Sequence, residues 1–587
     1  MRLLGRLGAG ALTMLALAAG PAHAATPQYD YVKVADGTEI AVSVWYPPGY
    51  DKGERWPVLF EMDGYGGARG PDDNQFAGHS NDFIVVYASL RGTGCSGGTF
   101  DLFGEQGGRD GYDVIEHWIV RQPWSDGRVG ITGHSYSGLT AFEVAETAPP
   151  HVKGIAVSGL IDDFYRGILY MGGVPNAGFP LAWGAAARPA SELQGDGQAQ
   201  LTDDHCRANF VQHQGSDYVP PPTLFVDIYG STQATPGSWA MQRSLINHVK
   251  DISAPTQIGQ QYQDEQTGPR GGYVLWQHLR RKLPKRLVLS NGRHNPNDPT
   301  HTKDAWLRCW VIQDGDGCGA VTDRRERVLM HFESRKKADG TSQERATPYA
   351  TSDFPAPETK WRRWQLEPRT YVSTAADHRM TLNTGLVFSE DQSPAAATYS
   401  QDTPTQARWA LPFEHDAALS GPIALTLRAS ITAPDTDFFV DVLDHDTKTG
   451  ELRYLQRGML RASFRELDAR RSDRVRSGPH RGEIWRPYHP FVDPQLVAPG
   501  TPETYEIEVF PLGHIFRAGH ELVLQLHAPP PNDPLSIGAY PPEQAPAVVQ
   551  VLDGSSVLLP FLPEAPDTWD APPGCARISG EICLSAP

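Results

Sequence analysis

"RVGITGHSYSGLTAFEVA", residues 128–145, decides the fold. Its first six residues mix β-branched and small side chains, its last eight form helix readily, and Ser135 stands between the two runs. A serine hydroxyl that must protrude from so sharp a strand-to-helix turn needs small neighbours, which is the physical content of the G-x-S-x-G pattern. Gly133, Ser135 and Gly138 meet that need, while Ser137 occupies the position of the second glycine. The competing reading is an ordinary strand-to-helix turn with Ser135 as a cap.

Outward from this stretch, short apolar runs ending near Gly, Asp or Ser recur at 56–62, 82–90, 152–159, 255–259 and 286–292. Helical periodicity from Tyr112 to Arg121 and from Ser137 to Thr147 lies between several of them. This alternation predicts an α/β fold with a parallel sheet covered by helices on both faces. It is preceded by a hairpin at 29–46, "YDYVKVADGTEIAVSVWY", turning at Asp36-Gly37. The alternation lapses between Gly159 and Ile252, where Gly/Pro-rich sequence with helical patches suggests an inserted cap at about 160–251. From Val328 onward short strands recur at 422–431, 437–446, 503–512, 520–528 and 547–552. The expected organisation is therefore a catalytic unit at 25–327 and an all-β sandwich at 328–587.

A chain of 587 residues has room for two or three cores, and 50 prolines with 58 glycines favour turns over long helices. The net charge of −17 argues against nucleic acid, which demands clustered cations. The N-terminus pairs a basic start, Arg2 and Arg6, with an apolar run from Leu7 to Ala19 and a small-x-small site at Ala22-His23-Ala24. It reads as a signal peptide over 1–24, with a secreted or periplasmic product, and the apolar run is too short for a membrane anchor. Export permits disulfides. Cys309 and Cys318 would close one short loop and Cys575 and Cys583 another, leaving Cys95 and Cys206 for each other. No cysteine or histidine cluster has zinc spacing, "DGDG" between Cys309 and Cys318 reads as a tight turn, and no metal or cofactor is expected.

A serine nucleophile needs a base, and the base needs a carboxylate to hold its tautomer. In chain order Ser, Asp, His, the partners should follow later strands of the sheet. Asp264 follows 255–259 within "QQYQDEQTG", and His294 follows 286–292 within "NGRHNPND". Asp227, Glu265 and His301 are rivals. For an oxyanion hole, the backbone N–H of Tyr136 is the first candidate donor, and the loop "DGYGG" offers either the Tyr65 hydroxyl or its own N–H groups as the second.

The blocks "LRGTGCSGG" (90–98), "DGYDVIEHWIVRQPWSDGRVGITGHSYSG" (110–138), "GLIDDFYR" (159–166), "QYQDEQTG" (261–268) and "NGRHN" (291–295) resemble the CocE/NonD hydrolases. That family includes cocaine-esterase-like enzymes, α-amino-acid ester hydrolases and Xaa-Pro dipeptidyl-peptidases. The resemblance implies an α/β-hydrolase domain with a helical cap and a C-terminal jelly roll. It implies catalytic roles for Ser135, Asp264 and His294, and an oxyanion hole from Tyr136 N–H and the Tyr65 hydroxyl, although "MDGYGG" departs from the family's Pro-Tyr-rich loop. The expected function is hydrolysis of an ester or amide of a small acyl group. Release of an Xaa-Pro dipeptide is the alternative; its substrate ammonium would need acidic partners such as Asp162-Asp163 or Asp203-Asp204. A non-catalytic binding protein is a further alternative, disfavoured by the intact Ser, Asp and His. The partner is a small-molecule ester, amide or peptide substrate.

Overall fold

The structure, a computed structural model, describes residues 27–66, 82–176, 178–194, 196–216, 238–294, 302–313, 318–336, 343–345, 347–373, 405–529, 547–565 and 582–584. The expected leader at 1–24 lies outside the described residues, as do Asp227, His301 and Cys575.

A ten-stranded sheet organises the first half of the chain. Its strands are β1 (Gln28–Lys33), β2 (Glu39–Trp45), β3 (Trp56–Asp63), β4 (Ile84–Ser89), β5 (Ser125–His134), β6 (Val152–Ser158), β7 (Thr256–Gln261), β8 (Lys285–Ser290), β9 (Val328–His331) and β10 (Tyr349–Thr351). They lie in the order β1-β2-β4-β3-β5-β6-β7-β8-β9-β10. The run from β4 to β9 is parallel, and β1, β2 and β10 pair antiparallel at the edges. Every residue of "IVVYAS" in β4 and of "KRLVLS" in β8 is buried, as a parallel sheet covered on both faces requires. Strands β9 and β10 lie beyond residue 327, so this sheet runs past the boundary expected from the sequence. A four-residue strand such as "VLMH" carries no local mark of the sheet it will join.

Two helices next to the serine turn pack with their backbones close together. Helix α1 (Glu105–Asp113) starts seven residues before the helical run read from the sequence, because "EQGGRDG" is too rich in glycine to read as helix. The glycines serve packing: a Cβ on Gly108 would lie 2.7 Å from the Glu143 carbonyl oxygen, and one on Gly111 would lie 2.3 Å from Val144. Both contacts are with α2 (Tyr136–Glu146). Between β6 and β7 the chain forms short helices, among them Arg188–Gln194, Asp204–Ser216 and Ser238–Arg243.

From Lys360 onward the described elements are strands, apart from one short helical turn at Ala462–Phe464. An eleven-stranded antiparallel sheet includes Ala417–Ile431, Asp437–Asp446, Leu452–Arg461, Glu503–Phe516, His520–His527 and Ser556–Phe561. Among the described residues two disulfides are formed: Cys309–Cys318, as the short spacing suggests, and Cys95–Cys206, the pair left for each other by elimination. The first ties the turn after β4 to the helix at Asp204–Ser216.

Candidate active site

Ser135 sits between β5 and α2 with φ +59° and ψ −125°. A non-glycine residue with positive φ is strained by about 1–3 kcal/mol and persists only where its surroundings enforce it. Here they do. The Ser135 N–H donates to the Ser158 carbonyl at 3.0 Å, and the Ser135 carbonyl accepts from the Leu139 N–H at 2.9 Å. A Cβ on Gly133 would meet the Ser137 backbone at 2.4 Å, and one on Gly138 would meet the Ser158 carbonyl at 2.6 Å, so both positions exclude side chains. Ser137 is more than a small residue. Its Oγ accepts from the His134 N–H and donates to the His134 carbonyl, both at 3.0 Å, closing the turn from inside.

Asp264 and His294 come together at the carboxyl ends of β7 and β8, the edge of an open α/β sheet where ligands bind. His294 Nδ1 lies 3.0 Å from both carboxylate oxygens of Asp264. Asp264 is fully buried and also accepts from the Gln266 N–H (3.0 Å), the Thr267 N–H (2.8 Å), the Thr267 hydroxyl (2.8 Å) and Gln260 Nε2 (3.1 Å). Burial pushes this carboxyl up, but the His294 imidazole and the donors from His294 and Thr267 outweigh it and hold it below its ordinary value. Burial pushes His294 down, and the charges of Asp264 and Glu265 with the Asp264 hydrogen bond carry it above its ordinary value. Both shifts describe a carboxylate that stabilises an imidazolium. Glu265, a rival for the acid, instead accepts the backbone N–H of His294 at 2.8 Å. The His294 ring packs over the serine turn, with its centroid 4.4 Å from that of His134.

Tyr65 is close at hand. Its hydroxyl lies beside the Ser135 side chain and accepts from Trp183 Nε1 at 3.0 Å. Burial first, then the charge of Asp63, pushes the phenol up to about 12, so it remains a proton donor at any ordinary pH. The loop carrying it is fixed from behind: Asp63 accepts the Tyr65 N–H at 2.8 Å, and the buried Arg188 donates to the Gly64 carbonyl at 2.9 Å. Tyr136, as the first residue of α2, has one of the N–H groups that lack a carbonyl partner within the helix. Around these donors stand aromatic rings. Tyr136 makes edge contacts with Tyr65, Phe103 and Trp183 at 5.4, 5.1 and 5.3 Å, and Phe103 stacks on Trp183 and Phe164 at 5.8 and 4.6 Å.

The all-β half braces this site through three buried amides. Gln263 Nε2 donates to Asn291 Oδ1 at 3.0 Å and to the Leu455 carbonyl at 3.1 Å, and its Oε1 accepts the Gly292 N–H at 2.9 Å. Asn291 Nδ2 donates to the carbonyls of Phe332 and Gly513. Gln456 Nε2 donates to the carbonyls of Tyr262 and Pro511, both at 2.7 Å. The loops that carry Asp264 and His294 are thus tied to each other and to the second sheet. None of these amides stood out in the sequence, where a glutamine beside an acidic residue signals nothing.

The acidic pairs considered for an ammonium are engaged with other groups. Asp162 accepts from Arg270 Nε at 3.0 Å, Asp163 pairs with Arg166 at 2.7 Å, Asp203 accepts the Tyr31 hydroxyl at 3.1 Å, and Asp204 pairs with Arg207 at 2.5 Å. Arg270 reaches on to Glu508 at 2.6 Å, so Asp162 belongs to an ion network between the two sheets.

Comparison with known proteins extends these observations. A family profile described as X-Pro dipeptidyl-peptidase (S15 family) matches residues 36–296, and one described as X-Pro dipeptidyl-peptidase C-terminal non-catalytic domain matches 327–531. A putative serine esterase of Mycobacterium bovis is 24% identical over 575 residues, covering 84% of this chain and 88% of that protein. Cocaine esterase from Rhodococcus is 28% identical over 211 residues, 35% of this chain and 34% of its own length. Among solved structures, a CocE/NonD family hydrolase from Staphylococcus aureus superposes with a TM-score of 0.68 at 18% identity, covering 91% of this chain and 93% of the other. An α-amino acid ester hydrolase superposes with a TM-score of 0.61 at 14% identity, covering 94% of this chain and 100% of the other.

Proposed function

From a serine hydrolase of the CocE/NonD kind, built of an S15 catalytic domain and its companion C-terminal domain, we propose that Ser135 forms an acyl-enzyme with the acyl group of a small ester or amide. The observation that carries the reading is the coupled pair: a buried Asp264 carboxylate 3.0 Å from His294 Nδ1, set beside a strained serine turn. His294 Nε2 takes the Ser135 proton as Oγ attacks the acyl carbon. The oxyanion of the tetrahedral intermediate accepts hydrogen bonds from the Tyr136 N–H and the Tyr65 hydroxyl. As the intermediate collapses, His294 returns the proton to the leaving oxygen or nitrogen. Water then repeats the sequence on the acyl-enzyme, with His294 again first base and then acid. The aromatic rings around Tyr65 and Tyr136 favour an apolar acyl group.

Xaa-Pro dipeptide release is the second reading, favoured by the description of both matching family profiles. It requires an anion for the substrate ammonium; each of the four aspartates considered for that task already pairs with a neighbouring side chain, and Asp162 alone keeps a buried oxygen, Oδ1, without a partner. A leader at 1–24 and the two disulfides support export, which N-terminal sequencing of the mature protein tests by starting at Ala25.

A fluorophosphonate probe should label the wild type and leave Ser135→Ala unlabelled; equal labelling of both excludes Ser135. Turnover of p-nitrophenyl acyl esters should exceed that of a dipeptidyl Xaa-Pro-p-nitroanilide, and turnover of the anilide alone would reverse the order of the two readings.

A further inference from the structure

Behind His294 lies a second histidine that the reaction as written does not use. His134, the residue before Ser135, lies half-buried beneath His294, with ring centroids 4.4 Å apart and planes inclined by 38°. Gly159, at φ +66°, closes the far side: a Cβ there would fall 3.0 Å from His134 Cε1 and 3.2 Å from His294 Cε1, so the backbone supports both rings at once. His134 Nδ1 shares a 2.9 Å hydrogen bond with Ser158 Oγ, and Lys303 Nζ donates to that same oxygen at 2.8 Å. The Lys303 ammonium thus reaches the oxygen that His134 Nδ1 contacts, one hydroxyl away from the imidazole.

We propose that His134 is a positioning residue for His294: its ring, tied through Ser158 to Lys303, is the surface that holds the His294 imidazole in the orientation that serves Ser135. The proposal rests on the reading of His294 as the general base. An imidazole that alternates between neutral and cationic forms needs a backing that stays neutral, since two adjacent imidazolium ions repel. Among the described residues, the groups facing His134 are His294 from the loop after β8, Ser158 from β6 and Lys303 from the helix Thr302–Leu307. Burial, then the charges of His294 and Lys303, hold His134 well below the ordinary histidine range. With burial and the charge of His294, Lys303 helps keep His134 from competing for the proton that His294 must carry.

The test compares His134→Ala, His134→Phe, Ser158→Ala and Lys303→Met, each checked for thermal unfolding and for fluorophosphonate labelling of Ser135. Labelling of the wild type, with its loss in His294→Ala, secures the parent reading independently of these variants. His134→Ala is expected to lower kcat at least tenfold with KM within about twofold, and His134→Phe, which restores a flat ring, to recover most of that loss. In the wild type the acid limb of kcat/KM should follow one proton. In Lys303→Met, where the neighbouring ammonium is gone, and in Ser158→Ala, where its link to His134 is cut, the limb should steepen toward two protons. Wild-type kcat in His134→Ala overturns the proposal. If that variant does not fold, single-proton acid limbs in both Lys303→Met and Ser158→Ala overturn it.

Discussion

Replacing Asp264 by asparagine should lower kcat about 10³–10⁴-fold, or ~4–5.5 kcal/mol in the barrier, without unfolding the protein. The geometry gives the reason. Oδ1 accepts two backbone N–H groups, from Gln266 and Thr267, so the asparagine carbonyl must take that side. Its NH₂ then replaces Oδ2 and faces His294 Nδ1 and Gln260 Nε2. A donor opposite Nδ1 makes that nitrogen the acceptor and puts the imidazole proton on Nε2, where it cannot receive a proton from Ser135. The donor-donor encounter with Gln260 costs about 1–3 kcal/mol, a loss that a folded domain tolerates. Losing the carboxylate also removes the main support for protonated His294. Residual activity should therefore show its acid limb at lower pH than the wild type. The assay is hydrolysis of a p-nitrophenyl ester across pH 5–9 in about unit steps, normalised by active-site titration, with thermal melts in parallel. A kcat loss under tenfold in a folded variant, or an acid limb that does not move, would refute the assignment.

Tyr65→Phe removes one oxyanion donor and should reduce kcat about 10²–10³-fold with little change in KM, measured on the same ester. Ser137→Gly restores the strict motif yet removes both hydrogen bonds that close the turn, so it should lower the unfolding free energy by ~1–3 kcal/mol in urea titration. Glu143 is buried on α2, and burial pushes its carboxyl up to about 8. A group whose native value is raised contributes stability that is full below its unfolded value and declines as pH rises toward the native one. Glu143→Gln should thus melt several degrees above the wild type at pH 8.5 and show no such gain at pH 4, as followed by calorimetry.

What the sequence disclosed was whatever depended on local spacing. The strand-turn-helix around Ser135, and an acid and a histidine each just after a strand, are short-range patterns, and the order Ser, Asp, His needed only that these strands follow one another. What it hid were contacts between distant segments. Nothing near "GHS" marks His134 as a neighbour of His294, because Ser158 and Lys303 meet it only when β5, β6 and the helix after β8 lie side by side. Helix α1 was obscured for the opposite reason: its glycines lower helix propensity, and their purpose appears only once α2 is seen packed on them. The strained turn itself could be anticipated from its small residues, whereas the hydrogen-bonding role of the Ser137 hydroxyl could not.

The buried amides linking Gln263, Asn291 and Gln456 also set an order in time. A chain is synthesised from its N-terminus, and its domains generally fold as units in that order. Asp264 and His294 emerge when about half of the chain has been made, yet the carbonyls of Leu455, Pro511 and Gly513 that complete their bracing belong to its last quarter. The machinery for cleavage is therefore finished late, after nearly all of the polypeptide that carries it has been made.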